Sequence, residues 1–368
     1  MKFNRYALSD LATIKYGKNQ KKVLSESGNI PIYGTGGLMG YATTALYDKP
    51  SVLIGRKGTI GKVKYVEHPF WTVDTLFYTI VNTDIVLPKY LYYVMSLIDL
   101  NNYNEGTTIP SLRTETLNRL EFDIPPLVEQ ETILSCLNPI DEKIALNNAI
   151  NNNLEQQAQA VYNKMFSEVN SEPVELSSII DVRDGTHDSP KVQTTGYYLI
   201  TSKHLLSFGV DKASANHISK VDFDKINERS LVETKDILMS MIGTIGLISY
   251  IPYEAIDFAI KNVALFKTSH TPELAYYFLC YLKSEKTLQH IEKCLAGSTQ
   301  KYISLGELRK MPIYTPTTDE IREFNCLVKP MFEEIVSRTY ENTLLAEMRD
   351  TLLPKLMSGE LDVSDIDL

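Results

Sequence analysis

The sequence predicts an α+β chain in which two similar globular domains alternate with two long helices, a pseudo-two-fold internal repeat. Three observations predict it. The tetrapeptide GTIG occurs at Gly58–Gly61 and returns at Gly243–Gly246 with matching flanks. Two glycine-free stretches, one near the middle and one near the end, carry apolar residues at helical spacing. Between them lie short β-type runs punctuated by glycine.

The repeat extends well beyond the tetrapeptide. At a shift of 185 residues Val52, Leu53 and Tyr65 fall opposite Ile237, Leu238 and Tyr250, and PKYLYYV (88–94) resembles PELAYYF (272–278). The shift then settles at 191, where Gly106, Thr108, Leu117 and Pro125 meet Gly297, Thr299, Leu308 and Pro316. So long a period means paired domains and not a solenoid of short repeats. The segments that follow are 1–128 and 170–318 as domains, 129–169 and 319–358 as helical spacers, and an acidic tail at 359–368.

Within the domains SVLIG, KVKYV, DILMSMIG and LISYI read as strands, and LPKYLYYVMSLI and TPELAYYFLCYL as helices. The glycine-rich stretches at Gly34 and Gly55 read as hairpin connections. In the spacers the stripe runs through Ile133, Leu137, Ile140, Ile144, Ile150, Leu154, Ala158, Val161 and Met165, and again through Phe324, Val328, Met331, Ile335, Leu345, Leu352 and Leu356. Each stripe finds its simplest partner in the other, as an intramolecular coiled coil whose seam is interrupted at equivalent places by Asn147 and Arg338. Pro139 and Pro330, also equivalent, predict a short helix followed by a long one.

Forty-three per cent hydrophobic residues supply ample cores. No apolar run is long enough to span a bilayer and MKFNRYALSD has no signal-peptide core, which predicts a cytoplasmic protein without a membrane partner. The four cysteines form no CxxC pair and the six histidines no HExxH, so no metal site is signalled. The net charge of −9 is unevenly spread: +3 over 1–124 and −1 over 170–318, against −4 over 125–169 and −7 over 319–368. Domains of this balance are compatible with a polyanion while the acidic helices face something else.

Catalytic signatures fail. GRKGTIGKV has Arg56 where a phosphate-binding loop needs its first glycine and Val63 where it needs a hydroxyl, and GTGGLMG has Met39 where a dinucleotide fingerprint needs its third glycine. IPPL lacks the polar first and aromatic fourth residues of the tetrapeptide with which amino-methyltransferases grip a base. No catalytic residue is therefore assigned.

Two divergent domains, each followed by a helix that begins PPLVEQ or PTTDEI and ends NKMF or PKLMSGEL, resemble the specificity subunit of type I restriction-modification systems. DGTHDSPKVQTTGYYLITSKHL (184–205) and AGSTQKYISLGELRKMPIYTP (296–316) are similar to segments of that family, and the resemblance covers nearly the whole chain. It implies two target-recognition domains, each reading half of a split double-stranded DNA site. It implies antiparallel helices that dock two methylation subunits, with restriction subunits joining the full complex. S-adenosylmethionine, ATP and Mg would be held by those partners and no cofactor by this chain. The seam that sets the spacing would comprise Ile140, Ile144, Leu154, Val161, Met331, Ile335, Leu345 and Leu352.

For DNA contact the residue types nominate Arg56, Lys57, Lys62 and Lys64 in the first domain and Thr186, His187, Lys191, Lys203, Gln300 and Lys301 in the second. An amide such as that of Gln300 suits adenine and a guanidinium such as that of Arg56 suits guanine, while lysines suit phosphates. In KVKYV, strand alternation places Lys62 and Lys64 on one face. Gly58, Gly61, Gly243 and Gly246 read as turn residues.

Overall fold

The computed structural model describes residues 2–166, 172–297 and 301–363. They form two compact units, one of 1–144 with 344–368 and one of 145–343.

The first unit runs β1 (Asn4–Ala7), α1 (Leu8–Leu11), β2 (Ala12–Tyr16), β3 (Ile30–Gly34), β4 (Gly37–Ala42), β5 (Ser51–Gly55), β6 (Val63–Val66), β7 (Trp71–Thr72), β8 (Leu76–Val81), α2 (Pro88–Ser96), α3 (Thr114–Asn118) and β9 (Glu121–Ile124), and then enters the long helix α4 (Leu127–Phe166). The second runs β10 (Val174–Glu175), β11 (Val182–Asp184), β12 (Tyr197–Ile200), β13 (Asn216–Ile218), α5 (Lys220–Ser230), β14 (Ile237–Ser240), β15 (Ile248–Tyr250), β16 (Phe258–Ile260), β17 (Val263–Phe266), α6 (Ala275–Lys283), α7 (Glu285–Lys293), α8 (Leu305–Arg309), β18 (Pro312–Ile313) and the long helix α9 (Thr318–Ser358).

The two strand diagrams coincide. A four-stranded antiparallel sheet has the order β2-β8-β5-β6 in one unit and β11-β17-β14-β15 in the other. A three-stranded sheet, β4-β3-β7 or β13-β12-β16, contains one antiparallel and one parallel pair in both. β1 pairs with β9 as β10 pairs with β18. Helix α5 has no counterpart among the described residues of the first unit. Equivalent registers place Ile14–Thr79 opposite Val182–Phe266, a shift of 168 for β2 and 187 for β8, so the shift changes across α5 and again before α6.

The long helices run unbroken through Pro139 and Pro330, which corrects the expected division into a short and a long helix. A proline removes one donor, to the carbonyl four residues back. Here the surrounding turn is held by burial of Ile133, Leu137 and Ile140 on one helix, and of Phe324, Val328 and Ile335 on the other. The stripes do not serve one another alone. Ile133, Leu134 and Leu137 enter the first domain's core together with Leu353, Leu356 and Met357. Ala158, Tyr162 and Phe166 enter the second domain's core with Phe324, Val328, Phe332 and Ile335. Of the remaining expected seam positions Ile144, Leu154, Val161, Met331, Leu345 and Leu352 are half-buried.

Asn147, fully buried, donates to Glu341 Oε2 (2.7 Å) and Asn342 Oδ1 (2.9 Å) and accepts from Arg338 Nη1 (2.9 Å). Asn342 donates to Asn148 and Asn151 to Thr339, which fixes the two helices as antiparallel here. Asn147 and Arg338 are the same position of the repeat, so the predicted seam interruption is a contact between equivalents. In the first unit Asp141 accepts from the Tyr93 hydroxyl and from Arg349 (3.1 Å). The repeat-equivalents of Asp141 and Arg349 are Phe332 and Ala158, both in the second unit's apolar core, where Phe332 stacks on Tyr276 at 4.8 Å. One unit therefore fastens its helices by charge where the other uses apolar packing.

Candidate nucleic-acid interface

Sheet topology decides which loops meet. In the first unit the C-termini of β2 and β5 and the N-termini of β6 and β8 lie at one end of the four-stranded sheet. The parallel pair β3·β7 delivers its own C-termini there: Val73 N–H donates to Tyr33 O (3.0 Å), Lys18 N–H to Thr72 O (2.8 Å) and Gly17 N–H to Leu76 O (2.9 Å). The 106–111 loop joins through Gly58 N–H to Pro110 O (2.9 Å). In the second unit the equivalent bonds are Gly185 N–H to Val263 O and Thr186 N–H to Ile260 O.

This crossing requires glycine. A Cβ at Gly17 would lie 2.0 Å from Val73 O, and one at Gly185 would lie 2.2 Å from Ile260 O. The repeated turn is less uniform than its sequence. Gly58 and Gly243 both have positive φ (88° and 80°), and so does Gly246 (82°). Gly61 does not; there a Cβ would meet the Asn101 side chain at 2.3 Å.

Arg56 and Lys57 follow β5 at this end and Lys62 closes the turn, with both lysines exposed. β6 begins only at Val63, so Lys62 belongs to the turn. Lys64 is cross-strand neighbour to Leu53, on the side of the cluster formed with Tyr33, Val66 and Phe70. Its ammonium lies 3.9 Å from the centroid of the Tyr33 ring, and the accompanying desolvation lowers its pKa. Exposed Lys18, Lys21 and Lys22 occupy the loop after Gly17, a basic group that the sequence reading missed. Its one visible signal is a glycine shared with the second copy at a shift of 168.

In the second unit the 185–191 loop brings Thr186, His187 and Lys191 together. His187 is pinned between Asp184 Oδ2 (Nε2, 2.9 Å) and Asn262 Oδ1 (Nδ1, 2.8 Å), so both ring nitrogens are engaged and what remains free is the ring surface, on a side chain 64% exposed. Asp184 is buried and also accepts from Arg229 Nη2 (3.0 Å). The same nitrogen reaches the carbonyls of Asp184 (3.2 Å) and Gly185 (3.0 Å). Between this loop and α5 lies a cleft of about 510 Å³ lined by His187, Ser189, Asp222, Lys225 and Arg229.

Lys203 follows β12 at the same end, since Lys261 N–H donates to Ile200 O (2.8 Å). Lys301 arrives beside the turn, where Ile303 N–H donates to Met241 O (3.0 Å). Lys191, Lys203 and Lys301 are exposed. Gln300 lies outside the described residues. After the second turn, exposed Leu247, Leu206 and Leu288 line a smaller cleft of about 220 Å³, and Leu247 stands where the first copy has Lys62. Neighbouring His204 is buried; its Nδ1 accepts from Thr201 N–H (2.9 Å), and burial, reinforced by Lys203, lowers its pKa. Among the described residues no group of three or more His, Cys, Asp or Glu side chains is placed to hold a metal ion.

The arrangement offers polyanion contact from lysines and directional donors from two guanidiniums. Comparison with known proteins agrees in kind. The family described as the type I restriction modification DNA specificity domain matches residues 2–156 and again 168–324. The MjaIX type I restriction enzyme specificity subunit of Methanocaldococcus jannaschii is 25% identical over 87% of this chain and 80% of its own length. The HindI specificity subunit of Haemophilus influenzae is 23% identical over 82% and 84%. A type I restriction-modification S subunit from M. genitalium superposes with a TM-score of 0.52 at 17% identity, covering 97% of this chain and 96% of that one, a likeness of fold.

Proposed function

The chain belongs to the type I restriction modification DNA specificity family, and from that premise we propose that it chooses the DNA sequence on which a type I restriction-modification complex acts, each globular domain reading one half of a bipartite duplex site. It is the non-catalytic specificity subunit; methyl transfer and ATP-dependent cleavage belong to other subunits. The observation that carries this reading is that both copies of one strand diagram gather their cationic and hydrogen-bonding loops at the same end of the same sheet. The reading domains are 1–128 and 170–318, and the contacts come from Arg56, Lys57, Lys62 and Lys64 and from Thr186, His187, Lys191, Lys203, Gln300 and Lys301.

The helical segments 129–169 and 319–358 dock two methylation subunits and set the distance between half-sites. Their negative charge supports a protein partner, because like charge repels phosphates. S-adenosylmethionine, ATP and Mg act in the methylation and restriction subunits, and the complex works in the cytoplasm. No described helix is long and apolar enough to cross a membrane.

The test is copurification from the source cell followed by methylation mapping. The complex should methylate a split site, and its affinity for that duplex should fall steeply with salt, as phosphate neutralisation demands. Methyl transfer by the pure chain alone refutes the assignment.

A further inference from the structure

We propose that Arg56 reads a guanine in the first domain's half-site, aimed by Tyr16 and Asp74. The proposal rests on the interface reading above and adds a specific base. The Arg56 backbone is fixed on both sides, its N–H donating to Thr75 O (2.8 Å) and its carbonyl accepting from Leu112 N–H (2.9 Å). Its guanidinium lies 5.0 Å from the centroid of the Tyr16 ring. That ring stands edge-on to Phe77 at 5.0 Å and 75°, and Phe77 is fully buried. Core, ring and guanidinium thus form one packed series. Nη1 then donates to the Asp74 carbonyl (2.9 Å).

What remains is the Nε–H and Nη2–H edge, two parallel donors that engage no other described residue. Such a fork matches guanine O6 and N7 in the major groove. A phosphate also accepts a fork, but the first domain offers phosphates the exposed Lys57 and Lys62 of the same turn and Lys18, Lys21 and Lys22 of the loop after Gly17, whose point charges need no fixed direction. A guanidinium already fixed by stacking and a carbonyl loses little freedom on binding, which is what discrimination between bases requires.

The second domain lacks this device. Asp184 stands at the position of Tyr16 and Met241 at that of Arg56. Arg229, the guanidinium fastened there, spends its Nη2 on three oxygens. Nη2 belongs to both bidentate edges of a guanidinium, so only single contacts are left. Among the described residues this stacked and anchored fork belongs to the first domain.

The experiment uses the full chain in the methylation complex with which it copurifies, binding a randomised duplex pool, with methylated sites mapped. The wild type is expected to require guanine at one position of one half-site. Arg56→Ala should reduce that preference roughly 5- to 150-fold, the worth of a bidentate contact, and leave the other half unchanged. Arg56→Lys, which keeps the charge and the packing but not the fork, should fail to restore it. Tyr16→Ala should relax the same position while Tyr16→Phe, which keeps the ring, retains it. Guanine-independent sites, an unchanged preference in Arg56→Ala, or a loss equal for all sequences with a shallower salt dependence each overturn the proposal. Alanine at Lys18, Lys21 and Lys22 separates the two levels. If it weakens binding while Arg56→Ala leaves the preference intact, only the guanine assignment falls; if neither acts, the interface reading falls as well.

Discussion

Lengthening both helices tests whether they are the ruler between the half-sites. Contacts across the pair place residue i of α4 near residue 490 − i of α9, as for Asn148 with Asn342 and Asp141 with Arg349. Insertions must face one another to keep both units packed, and the positions after Ile144 and after Leu345 satisfy this, leaving the Asn147 and Asp141 contacts untouched. One heptad adds about 10 Å to each helix at 1.5 Å per residue and drifts the stripe by only ~20°. At about 3.4 Å per base pair this corresponds to ~3 base pairs, which rotate one half-site around the DNA by roughly 100°. Three heptads add about 31 Å, or ~9 base pairs, and bring the rotation back to within some 50° of a full turn.

The one-heptad variant should therefore methylate poorly. The three-heptad variant should recover activity on sites whose gap is about nine pairs longer, with both half-site sequences unchanged. Methylated fragments of genomic or randomised DNA from each complex, sequenced, give the gap directly. Methylation at the original spacing by either variant refutes the ruler, since packed helices cannot be lengthened without moving what they carry.

Replacing Asn147 by Leu removes three buried hydrogen bonds, two of them to charged groups, and should cost about 3 kcal/mol in urea unfolding. The double variant with Arg338→Leu should recover at least half of that, and additivity of the two losses would contradict the pairing. Gly185→Ala, whose Cβ would collide with Ile260 O, should destabilise by roughly 1–3 kcal/mol or more and impair one half-site. Gly243→Ala, with positive φ but open space, should cost about 1–2 kcal/mol, measured by thermal unfolding. His204, neutral when folded, has a pKa below its unfolded value near 6.5, so the unfolded chain binds the extra proton and stability falls as pH drops below about 6.5 towards the folded value. His204→Asn keeps an acceptor for Thr201 N–H without titrating, and the slope of at most ~1.4 kcal/mol per pH unit between pH 7 and 5 should disappear.

The parts of the fold legible in the sequence are those where both copies spend residues on the same physical need. The β5–β6 and β14–β15 hairpins were visible because a tight turn needs glycine and its flanks need apolar residues, and the helices because their stripes are long. The first strand of the four-stranded sheet was not visible as a repeat: α5 displaces the register, and only Gly17 and Gly185 survive as a common mark, since a carbonyl sits where their side chains would be. The parallel pair β3·β7 was unreadable because β7 is two residues long. Pro139 misled because local chemistry argues for a break while burial on either side outweighs one lost donor. The aiming of Arg56 was invisible for a further reason: Tyr16, Asp74 and Phe77 reach it from three separate segments, and nothing in the order of residues announces that they meet.

For most of their length the two copies of this repeat are free to change independently, each answering only to its own surroundings. Asn147 and Arg338 are not, because they are equivalent positions of the repeat in contact with each other. Two asparagines could meet at such a contact, each donating and accepting at once, whereas two guanidiniums facing each other repel. The pair is asymmetric: one copy supplies a cation and the other an amide that receives it. It makes the two halves complementary at this point, and it sets a direction on the chain: a half carrying arginine here is suited to meet a half carrying asparagine, and poorly suited to meet another copy of itself.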